Sequence, residues 1–157
     1  MRWLWLAAVV IGLDQVSKQQ VVEWFTSHPP LRLTSWFNLV LAYNRGAAFS
    51  MLAEGSTLPR FLFSGIALVA SAALIQMIRT PASTVPTRLG AALILGGALG
   101  NLCDRIRLGA VVDFIQWHAG DAYYFPAFNV ADSAITAGAC VLVLGSLLAS
   151  RSSGPPS

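Results

Sequence analysis

The chain has 157 residues, of which 55% are hydrophobic and only 11% charged, and it carries a net charge of +3. Water-soluble domains are about one quarter charged, so this composition excludes an ordinary soluble globule and fits a membrane protein. The basic residues are Lys18 and scattered arginines with no cluster among them, which argues against a nucleic acid partner.

The expected architecture is an all-α integral membrane protein with four transmembrane helices and a small extended or β platform in the first extramembrane connection. It forms a single membrane domain over residues 1–157, with spans at about 3–25, 59–78, 87–103 and 129–149. The first span opens with Arg2 and an apolar run over 3–13. This start resembles a signal peptide, but no small-x-small cleavage site follows, so a retained span is expected. Its second half is amphipathic, carrying Asp14, Gln15, Lys18, Gln19 and Glu23. Asp14 and Lys18 are four residues apart with the acid first, so on a helix they face the same way. An ion pair that orients the helix is the favoured reading, and contact with substrate or with other polar groups of a site is the alternative.

The connection 26–58 alternates apolar and polar stretches, such as Leu31-Arg32-Leu33 and residues 37–49, and is the expected platform. Within it Asn44 opens Asn44-Arg45-Gly46-Ala47-Ala48-Phe49-Ser50, where Asn and Gly also suit a plain turn. The second span, 59–78, is the cleanest apolar run, and a short polar turn with Arg79, Pro81 and Pro86 follows it. The third is rich in small residues (Gly90, Ala91, Ala92, Gly96, Gly97, Ala98, Gly100), which let helix backbones approach closely in lipid. At its end Asn101 and Arg105 share a helix face, with Asp104 expected to point elsewhere. This is either a polar helix end or a group supporting a site. Residues 104–128 are expected to be the second long connection, with Trp117, Tyr123, Tyr124 and Phe125 as interfacial anchors. The fourth span is followed by a Ser/Gly/Pro-rich tail, 150–157, expected to be disordered. Cys103 and Cys140 lack metal-type spacing and are expected to be buried free thiols.

Two acids stand out, Asp113 in Val111-Val112-Asp113-Phe114 and Asp132 in Phe128-Asn129-Val130-Ala131-Asp132-Ser133. Charge at membrane depth is costly and needs a partner or a function. Asp132 fits the third position of a helix capped by Asn129, an acidic capping box, and a helix N-terminus also favours an ionised carboxylate, so cap and base can coexist. Asp113 could be a turn acid, although its apolar neighbours are unusual for one. With four spans, the first and third connections fall on one side, which puts Asn44 and Arg45 on the same face as Asp113 and Asp132. Arginines divide between the two sides (Arg2, Arg79, Arg88 and Arg151 against the rest), so the positive-inside rule leaves orientation undecided. His-Glu-x-x-His, Gly-x-Ser-x-Gly and a phosphate loop are all missing, which leaves carboxylate chemistry. Two carboxyls sharing one proton can activate water against a peptide bond. A proton-coupled transporter and a purely structural membrane subunit are the competing readings.

Taken in order, Asp14…Lys18, the Asn44–Ser50 block, Gly96-Gly97-Ala98-Leu99-Gly100-Asn101-Leu102-Cys103-Asp104-Arg105 and the two aspartate blocks resemble the bacterial lipoprotein signal peptidase family, signal peptidase II. Cys103 sits where that family usually has an aliphatic residue. The resemblance implies an intramembrane aspartyl endopeptidase of the bacterial cytoplasmic (inner) membrane. It would have cytoplasmic termini and a site toward the periplasmic or outer face, and would act on prolipoproteins carrying a diacylglyceryl cysteine. Asp113 and Asp132 would be the catalytic pair. Asn44, Asn101, Arg105 and Asn129 would line or support the site, with Asp14 and Lys18 close by. No cofactor or metal is expected, membrane lipid is an expected partner, and the expected state is a monomer.

Overall fold

The computed structural model describes residues 2–46, 57–120 and 122–152; the expectations placed on residues 47–50 and on the tail 153–157 lie outside the described residues. The described elements run α1 (Arg2–Phe25), β1 (Leu31–Arg32), β2 (Phe37–Asn44), α2 (Leu58–Arg79), α3 (Val85–Leu108), β3 (Val111–Ala119), β4 (Tyr123–Tyr124) and α4 (Val130–Ser152). Local sequence explains most of the boundaries. Pro59 and Pro86 sit in the first turns of α2 and α3, where a missing N–H costs nothing. The Thr84 side chain accepts from Thr87 N to cap α3. Gly109, at φ 75°, closes α3 in the left-handed conformation that residues with a Cβ avoid, and its N–H reaches Arg105 O.

α2, α3 and α4 are each long and apolar enough to cross a membrane. α1 matches them in length but carries Asp14, Lys18 and Glu23. α3 lies in the middle of the bundle, packed against α1, α2 and α4. Its glycines make this possible. A Cβ at Gly96 would sit 2.8 Å from Ala7 O, and one at Gly97 would sit 2.3 Å from Ala131 O, so both neighbouring backbones come into direct contact with α3. α2 and α4 turn large apolar side chains outward instead, among them Phe61, Val69, Leu144 and Leu148. Such an exterior suits lipid rather than water.

Four expectations change. The sheet is not confined to the first connection. It runs β1-β2-β3-β4, antiparallel throughout, and its longest strand, β3, comes from residues that were expected to be connection. The run from Val111 to Phe114 is buried on both faces, against the bundle as well as the sheet, so it lacks the alternation that marks a half-buried strand. α3 continues five residues past 103, since Arg105 and Arg107 are good helix formers that suit the negative end of the helix dipole. α4 continues through Ser152, so positions 150–152 are helical. Finally, Cys140 is exposed and Cys103 half-buried, both free, because an apolar helix face turned to lipid leaves its thiol uncovered.

Candidate active site

The first and third connections meet through β2 and β3. Ala42 lies opposite Asp113, so Asn44, two residues along on the same face, is the diagonal neighbour of Asp113. Asn44 Nδ2 donates to Asp113 Oδ2 at 3.0 Å. Phe128 O accepts from both Phe114 N (2.9 Å) and Ile115 N (2.8 Å), and Phe128 N donates to Ile115 O. These bonds pin the entry to α4 against β3 and deliver the next residue, Asn129, to Asp113.

Asn129 is fully buried and joins the two acids. Its side-chain Nδ2 donates to Asp113 Oδ1 at 2.7 Å, while its backbone N–H donates to Asp132 Oδ2 at 3.3 Å. In return, its Oδ1 accepts from Asp132 N at 2.9 Å. This is the reciprocal capping box that the spacing from Asn129 to Asp132 predicts. Asn101 Nδ2 supplies a second donor to Asp132, to Oδ1 at 2.8 Å, and Asn101 Oδ1 accepts from Asn129 at 3.2 Å. Among the described residues, every hydrogen-bond donor to Asp113 and Asp132 is a neutral amide.

Asp113 is 2% exposed. Burial lifts its pKa to about 6, and the nearby charge of Asp132 pushes in the same direction. The Asn44 and Asn129 hydrogen bonds and the more distant Lys18 hold it down. It opens onto a cavity of about 310 Å³ lined by Ala42, Tyr43, Asn44, Arg45, Pro126 and Ala127. The other half-dozen candidates fall around this centre or behind it. Arg105 lies one helical turn beyond Asn101, its guanidinium 5.2 Å above the Phe63 ring.

Asp14 and Lys18 pair at 2.8 Å, as their spacing predicts, but the pair is part of something larger. Lys18 Nζ also bonds Asp104 Oδ2 (2.9 Å) and Asn101 Oδ1 (2.9 Å), so all three ammonium protons are used. Asp104 therefore does not point away from Asn101. Three residues apart on a helix is only about 60° around the axis, and both side chains turn to Lys18. Asp14 Oδ1 accepts from Ala131 N in the first turn of α4 (2.9 Å), and Asp104 Oδ2 accepts from Val112 N of β3 (3.0 Å). The ionic cluster thus fixes the backbone immediately beside each of the two acids. Asp104 and Gln15 are the site residues that sequence reasoning passed over; Gln15 Nε2 donates to Asp104 Oδ1 at 2.8 Å and to Gly100 O at 3.1 Å. Helical spacing from Asn101 and Lys18 was the available signal for both.

Chemically, the arrangement is two carboxyls joined through Asn129 and held by neutral donors, with Asp113 lining a cavity, at the junction of a lipid-facing bundle with a sheet. A family profile described as signal peptidase II matches residues 6–148. A protein of Tolumonas auensis named lipoprotein signal peptidase is 46% identical over 145 residues, covering 92% of this chain and 88% of its own length. One of Pseudomonas putida with the same name is 46% identical over 155 residues, covering 98% and 91%. The fold is also similar to a bacterial membrane enzyme solved at 2.3 Å resolution, with a TM-score of 0.80, 27% identity and coverage of 99% of this chain and 93% of that one.

Proposed function

The chain belongs to the signal peptidase II family, and from that premise we propose that Asp113 and Asp132 are the catalytic pair with which it cleaves prolipoproteins. It is an aspartic-type hydrolase that removes signal peptides from lipoprotein precursors. The observation that carries the assignment is their shared contact: Asn129 donates to Asp113 through its side chain and to Asp132 through its backbone. In the proposed mechanism the pair holds one proton. The ionised carboxyl takes a proton from a water placed between the two, and the protonated one donates to the scissile carbonyl as the tetrahedral oxyanion forms. No covalent acyl-enzyme is formed. The proton belongs to the pair rather than to either member.

The substrate reading follows from depth. A diacylglyceryl group buries well in lipid, at about 0.8 kcal/mol per CH₂. The modified cysteine then waits near the headgroup boundary, where a peptide bond can reach both water and a sheet-borne carboxyl. Asn44, at the rim of the cavity, and Arg105 would meet the substrate, while Asn101 and Asn129 hold the acids and Asp14 and Lys18 hold the backbone behind them. In this reading α1 is a fourth span. It is 24 residues long, about 36 Å at 1.5 Å per residue, and Lys18 faces inward onto Asp104 and Asp14 onto Ala131 N rather than toward lipid. One membrane domain then sits in the bacterial inner membrane with both termini cytoplasmic and the acids toward the outer face. It works as a monomer, since a single chain supplies both acids and their donors.

Cleavage of a synthetic diacylglyceryl precursor peptide by the reconstituted protein tests this. Asp113→Asn and Asp132→Asn are expected to fold and fail to cleave, and near-normal cleavage by either would end the assignment. Proton-coupled flux in proteoliposomes without cleavage would favour the transporter instead.

A further inference from the structure

At the opposite end of the bundle from Asp113, the start of α1, the end of α2 and the start of α3 enclose a cavity of about 550 Å³ lined by Arg2, Trp3, Leu4, Ile78, Arg79 and Arg88. Arg88 precedes Arg105 by 17 residues on the same helix, about 25 Å at 1.5 Å per residue, so this place is separate from the acid pair. We propose that it binds the phosphate headgroup of an anionic membrane phospholipid, with Arg2, Arg79 and Arg88 on the phosphate and Trp3, Leu4 and Ile78 along the first carbons of the acyl chains.

Four observations support this. The lining holds three arginines and no acid, and both salt bridges among the described residues lie elsewhere, on Lys18. Arg88 is fixed in direction: its Nη2 donates to Thr80 O (3.1 Å) and Pro81 O (2.8 Å) in the α2–α3 turn. Its Nε is nevertheless buried without a hydrogen-bond partner among the described residues, a donor that an anion would satisfy. The Arg2 guanidinium lies 5.1 Å from the centroid of the Trp3 ring, so a cation and an apolar wall of the cavity are held together. Guanidinium forks match phosphate oxygens two at a time, and a basic pocket between membrane helices with apolar walls suits a lipid headgroup better than a free anion. The site is independent of the peptidase reading, since none of its residues touches the acids.

The test is retention of phosphatidylglycerol against phosphatidylcholine by the full-length protein, read by native mass spectrometry after extraction from mixed vesicles. Wild type is expected to retain phosphatidylglycerol selectively. The double variant Arg2→Gln/Arg79→Gln, whose arginines donate no recorded hydrogen bond to the fold, is expected to lose about fivefold in selectivity per arginine. Arg88→Lys keeps the charge but not the fork and is expected to lose less. Arg32→Gln, at the other end, is expected to lose nothing. Cleavage of the precursor peptide serves as the folding control and should be unchanged in the double variant. Equal retention of the two lipids by wild type, an equal loss in Arg32→Gln, or displacement of the lipid by millimolar inorganic phosphate would each overturn the proposal.

Discussion

Two clusters of acids touch in this chain, three of the four carboxyls buried and Asp132 half-buried, and they differ in their hydrogen-bond partners. Asp14 and Asp104 share the ammonium of Lys18, and backbone or amide donors satisfy their remaining oxygens. Among the described residues, Asp113 and Asp132 receive only amide donors, from Asn44, Asn129 and Asn101. Asn101 touches both clusters, accepting from Lys18 and donating to Asp132. The difference separates structure from chemistry. Neutral donors leave two neighbouring carboxyls able to share a proton, which is what the proposed mechanism asks of Asp113 and Asp132. The ionic cluster positions the backbone of β3 and α4, and in the proposed mechanism the chemistry falls to Asp113 and Asp132.

The sharpest way to break this comparison is to remove charge from each side in turn. Asp113→Asn or Asp132→Asn should cost at least the 10²- to 10⁴-fold that general acid–base catalysis typically supplies, with little change in thermal unfolding. Lys18→Met should do the reverse: it leaves Asp14 and Asp104 buried without their cation, a loss of about 3–5 kcal/mol visible as a large drop in unfolding temperature in detergent. A smaller effect is expected where α3 meets α4. Gly97→Ala forces a Cβ into Ala131 O, one residue before Asp132, and should cost about 1–3 kcal/mol together with a fall in kcat. Gly12→Ala, which meets nothing within 4 Å, should leave both unchanged.

The smallest effect is a shift in pH profile. Because kcat/KM reports the free enzyme, it should fall as pH rises through about 6, where the proton lifted onto Asp113 by burial is lost. Asn44→Ala deletes a hydrogen bond that favours ionised Asp113, so the same limb should move to higher pH. A limb that moves down, or stays put, would mean that Asn44 does not tune this carboxyl.

Local features were legible in the sequence and distant pairings were not. The capping box from Asn129 to Asp132 and the pair from Asp14 to Lys18 span three and four residues, so helix geometry alone places them. The topological argument that the first and third connections share a face is realised in the pairing of β2 with β3. That β3 is a strand at all could not be read off, because a segment buried on both faces has no alternation, and its partner lies some seventy residues away. Asp104 was legible and was misread, through attention to Arg105 on the i, i+4 face at the expense of the i, i+3 one. The expected ion pair between Asp14 and Lys18 is present, but the groups of α3 and α4 that receive it, Asn101, Asp104 and Ala131 N, lie too far along the chain to be read from spacing.

The most direct test is an infrared pH titration of the carboxyl groups in the membrane-reconstituted protein. Ordinary exposed acids protonate near pH 4, so a protonated carboxyl band that grows in as pH falls through about 6 stands apart from them. The expected result is that this band is present in wild type and lost in Asp113→Asn. Its persistence when both Asp113 and Asp132 are replaced by Asn, or its loss only when Asp14 or Asp104 is replaced, would place the mobile proton in the wrong cluster and contradict the account.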